Sequence, residues 1–132
     1  MLPFKIEAAV VCDDLRVENT GKHILIGVYV GVIGLLSLPT QLTLTWWIET
    51  APPSADKIDG QMKIVHSDGA VLAQGNFSIV VEPDKASIIT LQKVPVQIQS
   101  FGEIALMFKI GSDDWVPIRK IKVVDGTKLT KI

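Results

Sequence analysis

From Ile24 to Leu38 the chain carries no charge, and Ile24, Ile26, Val28, Val30 and Val32 recur at every second position. That period belongs to a strand, not a helix. Gly27, Gly31 and Gly34 point the same way, since each glycine costs a helix interior about 1 kcal/mol relative to alanine. The run also stops at Pro39, short of the roughly 20 apolar residues that a spanning helix needs. Leu25 and Tyr29 make the second face apolar as well. Such a strand is expected either in the centre of a sheet with both faces covered, or with one face given to an intermolecular contact. The glycine spacing fits neither a membrane-helix dimer motif nor a phosphate loop, because both need a helix. Bulges or close strand contacts are the expected use.

The rest of the chain alternates in shorter units. Phe4 to Cys12 reads as a first strand, joined as a hairpin to the apolar run through the polar turn VENTGKH. In Gln41 to Glu49, Leu42, Leu44, Trp46 and Ile48 are predicted to face a core, while Thr43, Thr45, Trp47 and Glu49 face outward. The stretches APPSADKIDG and EPDKA read as loops. Gln61 to Val65 and Val71 to Val81 form a hairpin about Asp68-Gly69. Ile88 to Leu91 and Val94 to Ile98 are two short strands, or one strand that Pro95 restricts to an edge.

Ile104, Leu106, Phe108 and Ile110 share one face of a strand opened by Gly102. Trp115 to Val124 follows, with a phase slip near Arg119 and Lys120 that signals a β-bulge. The tail DGTKLTKI is an edge strand or frayed. The pattern predicts a single all-β domain over residues 1–132, an antiparallel β-sandwich of seven or eight strands, with a small β-barrel as the alternative.

Composition narrows the function classes. Hydrophobic residues make up 48% of the chain but aromatics only 6%, a Val, Ile and Leu surplus that suits strands. The net charge of −1 supplies no bulk attraction to nucleic acid or to anionic lipid. One cysteine, Cys12, rules out an intrachain disulfide and fits a reducing compartment, so the expected location is the cytoplasm. The opening MLPFKIEAAV holds no secretory apolar region.

VCDDLRVENTGKHILIGVY, Val11 to Tyr29, resembles the opening of a family of small bacterial or phage proteins of unknown function. FGEIALMFKIGSDDWVPIRKIKVV, Phe101 to Val124, is similar to the closing hairpin of many immunoglobulin-like sandwiches. The resemblance implies that architecture, with Trp46 as its buried tryptophan. It carries no activity, and the immunoglobulin cysteine pair is absent.

Candidate chemistry is sparse. Cys12 with His23 or His66 is the sole thiol option, and Cys12 reads better as a small buried hydrophobe. Both histidines are expected at solvent-exposed turns or strand starts, without metal-ligand spacing. No catalytic, cofactor or resident metal site is predicted. Asp13-Asp14 and Asp113-Asp114 could offer oxygens to Ca²⁺, although aspartates in turns more often cap their own backbone. Asp14 and Arg16 are expected in a structural polar network. Arg119, Lys120 and Lys122 read as an edge-strand guard.

A mean hydropathy of +0.37 with 20% charged residues leaves surplus apolar surface for a chain of this size. The expectation is a non-catalytic binding or assembly module that self-associates as a homo-oligomer, or meets another protein, through a face including Tyr29, Trp47, Met107 and Trp115. Two alternatives accompany it. One is a Ca²⁺- or carbohydrate-binding sandwich using the turn aspartates and Trp115; the other, from the family resemblance, is a phage or mobile-element protein that binds a host factor.

Overall fold

The computed structural model describes residues 2–52, 57–80 and 85–128. Parts of the two predicted loops, together with residue 81 and residues 129–132 of the predicted tail, lie outside them. Nine strands are present among the described residues: β1 (Ile6–Val17), β2 (His23–Val28), β3 (Val32–Leu35), β4 (Thr40–Thr50), β5 (Lys57–His66), β6 (Val71–Val80), β7 (Ser87–Ile98), β8 (Gly102–Ile110) and β9 (Val116–Asp125). A short 3₁₀ turn, Gly126–Lys128, follows. The strands build a four-stranded sheet in the order β2-β1-β4-β7 and a five-stranded sheet in the order β3-β9-β8-β5-β6. The two sheets pack face to face and do not close into a barrel, so the fold is a β-sandwich.

Alternation fills the space between the sheets. Leu44, Trp46 and Ile48 of β4, with Val11, Ile89, Val96 and Ile98, meet Ile58, Met62, Ile64, Ile104, Leu106, Phe108, Ile121 and Val123 from the other sheet. Each such side chain contributes about 1.5–3 kcal/mol when fully buried. Trp46 is fully buried, and its indole N–H has no hydrogen-bond partner.

The count exceeds seven or eight because the apolar run after His23 is two strands, not one. β2 is an edge of the four-stranded sheet, whereas β3 is an edge of the five-stranded sheet, where it pairs parallel with β9. Gly31 makes the change of sheet possible with φ 81, a conformation that costs side-chain-bearing residues about 1–2 kcal/mol. Neither half is a central strand.

Other boundaries also move. β1 continues to Val17, well past Cys12, and Lys57 to Gly60 belong to β5 rather than to a loop. Ser87 to Ile98 is one strand, and it is an edge as Pro95 requires. β7 carries one more residue than β4 between the Leu44↔Val94 and Trp46↔Leu91 pairs, and Lys93 there adopts φ 55. A second extra residue, Ile118, lies between Leu106↔Arg119 and Met107↔Pro117, next to the predicted slip. β3 pairs with β9 from Lys122 to Asp125, so Lys122 does not guard an edge, whereas Arg119 and Lys120 lie on the stretch of β9 that pairs with β8 alone.

Candidate functional site

Five of the exposed large hydrophobic residues lie on β2, at the end of β1 or in the crossing that follows: Val17, Ile24, Ile26, Val28 and Val30. The local path explains them. β1 pairs with β4 only as far as Cys12↔Thr45, and beyond that point it pairs with β2 alone, ending at Val17↔His23. Trp47 lies opposite Val10, yet its Nε1 donates to His23 Nδ1 at 3.0 Å. A straight strand would place Val17 about 23 Å beyond Val10. The β1–β2 ribbon therefore peels away from β4 and folds back over the outer face of the four-stranded sheet. Leu15 is buried and His23 and Leu25 are half-buried on its inward side, while Arg16, Ile24 and Ile26 are exposed on the other. Lys93 Nζ reaches Asp14 Oδ1 at 3.4 Å, and Arg16 Nε lies 3.9 Å from Asp14 Oδ2, so the predicted Asp14–Arg16 network exists and also ties the ribbon to β7.

Gly27 lies under the Asp13 side chain. A Cβ at Gly27 would come within 2.3 Å of Asp13 Oδ2, and its φ of 70 is itself unfavourable for other residues. This is the close strand contact its sequence suggested. Tyr29 Oη donates to Asp13 Oδ1 at 2.9 Å. Burial, then the hydrogen bond to the Asp13 carboxylate and its charge, push the Tyr29 phenol up to about 12. The backbone N–H of Leu15, with Lys93 and Arg16 nearby, holds the Asp14 carboxyl below its ordinary value. Cys12 is fully buried, burial raises its thiol, and its Sγ donates to the Asp14 carbonyl at 3.3 Å.

Met107 belongs to β8 of the five-stranded sheet, and Trp115 lies in the connection just before β9. Met107 points away from the core beside Pro117 and Lys63, and Lys63 Nζ sits 4.2 Å from the centre of the Trp115 ring. Two hollows open on this sheet. One, of about 240 Å³, is lined by residues including Val65, Glu103, Ala105, Met107, Pro117 and Lys120. The other, of about 530 Å³, is lined by polar groups of Asp59, Gln61, Asn76, Ser78 and Lys109. Tyr29 lies at the crossing between sheets and packs against the core. Tyr29, Trp47, Met107 and Trp115 thus do not share one face: Trp47 is half-covered by the ribbon on one sheet, and Met107 lies on the other, with Trp115 beside it.

His66 is buried at 5% exposure, contrary to the expectation for a turn. Its Nδ1 accepts from the Asp68 N–H at 3.0 Å, so Nε2 carries the proton and donates to the Ser100 carbonyl at 2.9 Å. Ser100 Oγ lies 3.5 Å from Nε2 but donates to Asp68 Oδ2 at 3.3 Å. The serine, histidine and aspartate are close, yet the imidazole has no free lone pair with which to take the serine proton. This cluster locks the β5–β6 turn against the segment before β8. Its only sequence signal was the turn itself, since Ser100 is 34 residues away. Among the described residues, no three His, Cys, Asp or Glu side chains converge as a metal site. Asp13 and Asp14 are engaged as described above. Among the described residues no helix is long and apolar enough to cross a membrane.

A model of a protein family described as a family of unknown function, DUF6941, matches residues 7–123. The chain belongs to this family. The DUF6941 match takes in all nine described strands except Ile6 and the last two residues of β9. A search of curated proteins finds no match.

Proposed function

We propose that the protein is a non-catalytic assembly module of the cytoplasm that self-associates through its apolar surface. One observation carries the reading: β2 is an open sheet edge on which Ile24, Ile26 and Val28 are each 40–46% exposed. Soluble monomers seldom leave contiguous apolar side chains beside unpaired backbone groups, because such an edge recruits another strand. The proton-bearing Nε2 of His66 and the raised thiol of Cys12 support the absence of catalysis. The buried Trp46 supports an immunoglobulin-like kinship for the sandwich. The test is mass in solution by light scattering over a tenfold concentration range. A species of twice the 14.4 kDa chain is expected, and a monomer throughout would overturn the reading.

A second reading has its own observation. The 530 Å³ hollow offers carboxylate, amide, hydroxyl and ammonium groups, the set that a carbohydrate's hydroxyls use. Glycan binding that Gln61→Ala abolishes would favour it over self-association. Bound Ca²⁺ has weaker support, given the engaged Asp13 and Asp14.

A further inference from the structure

We infer that the 530 Å³ hollow on the outer face of the five-stranded sheet is a site for an acidic sugar, a uronic acid residue of an oligosaccharide, with the sugar's carboxylate on Lys109 and its hydroxyls on Asp59, Gln61 and Asn76. The inference rests on the carbohydrate reading and names the class of sugar. Strand register builds the site. Asp59, Gln61 and Lys63 alternate with the buried Ile58, Met62 and Ile64, so they face away from the core. Asn76 of β6 and Lys109 of β8 lie directly opposite Gln61 on either side, and Ser78 of β6 lies opposite Asp59. One row across the three strands therefore offers amide, amide and ammonium, and the next offers hydroxyl and carboxylate. Where β8 would complete that second row stands Gly111, the residue after Ile110, which itself pairs with Gly60. A Cβ at Gly111 would meet nothing within 4 Å, so the absence of a side chain there leaves the hollow open.

Most of these groups have no partner within the chain. Ser78 Oγ donates to Asp59 Oδ1 at 2.6 Å and so orients the carboxylate. Among the described residues Lys109 has no ion-pair partner, and Gln61 and Asn76 make no side-chain hydrogen bond. Lys109 and Asp59 are diagonal neighbours, roughly 7–8 Å apart along the sheet, and they do not bridge to each other. A ligand between them meets both charges at once. A neutral sugar would leave the ammonium unmatched, and a simple anion would meet the Asp59 charge and leave the amides idle. An amino acid zwitterion would match the two charges but bring no hydroxyls to Gln61 and Asn76. A sugar acid uses the whole set: its carboxylate accepts from Lys109 and the amide N–H groups, and its hydroxyls donate to Asp59. The volume lies within the range of about 300–1,000 Å³ found for small-ligand sites.

Calorimetric titration of the full chain with trimers of galacturonic and mannuronic acid, beside the neutral trimers of galactose and mannose, tests the inference. At low salt one acidic trimer is expected to bind about tenfold more tightly than its neutral counterpart, the effect of one charge-assisted contact. Lys109→Gln should abolish that preference. Lys57→Gln removes an exposed lysine of the same face that does not line the hollow, and should keep it. Circular dichroism spectra matching the wild type would show that both variants are folded. Acidic and neutral trimers binding equally well, or Lys57→Gln losing as much as Lys109→Gln, would overturn the acidic-sugar site and leave the carbohydrate reading standing. No binding of any trimer at millimolar concentration would overturn both.

Discussion

The two edges of the four-stranded sheet, β2 and β7, answer the same problem in opposite ways. β7 removes one ladder donor at Pro95, bends at Lys93, and places that lysine's ammonium beside Asp14. β2 keeps an uncharged centre, turned at the left-handed Gly27, and exposes Ile24, Ile26 and Val28. Both are equally peripheral, so peripheral position alone does not explain the difference. A chain that protects one edge of a sheet and leaves the other apolar has its open edge available for pairing.

The comparison can be broken most strongly at Gly27. Gly27→Ala must accept a left-handed φ and displace Asp13, and is expected to cost about 1–3 kcal/mol in urea unfolding. If the ribbon is held as described, the same variant also lowers dimer content, read by light scattering. Next comes the pin between ribbon and sheet: Trp47→Phe removes the bond to His23 while keeping an aromatic ring, and about 1 kcal/mol should be lost. Unchanged unfolding midpoints would mean that the ribbon does not depend on it.

A third test uses alkali. The Tyr29 phenol titrates near 12 in the folded chain against 10 ordinarily, so the folded state holds the proton more tightly. The associated stability is complete below pH 10 and is lost as pH rises through 12. Tyr29→Phe should flatten that alkaline decline in melting temperature. The smallest expected effect lies on the guarded edge: Pro95→Thr restores a ladder donor, and a slight rise in association above wild type, seen by light scattering at high concentration, would show that the proline is a guard.

Much of the sandwich was legible as alternation. In β8, Ile104, Leu106 and Phe108 point inward as their spacing requires, because a strand between two neighbours has its faces decided by period alone. The apolar run after His23 was legible as strand but not as two strands. A change of sheet at Gly31 preserves the local period on either side, and only the distant partner β9 distinguishes the halves. His66 was misplaced for the same reason, since its burial depends on a carbonyl at Ser100. Of the proposed contact residues, Met107 lies on the five-stranded sheet and Trp115 beside it, in the connection before β9, against Lys63. Trp47 is withdrawn by a ribbon whose fold-back begins at Asp13, where neither composition nor period changes.

The parallel pairing of β3 with β9 has a consequence for synthesis on the ribosome. Val32 pairs with Lys122, 90 positions further along the chain, and the inward Ile33 and Leu35 have no neighbouring strand of their own sheet until β9 has emerged. At about 5–20 residues per second, that wait lasts several seconds. Throughout it the apolar residues of β3 stand without the strand that pairs them, while β2, on the other side of Gly31, already has β1 beside it.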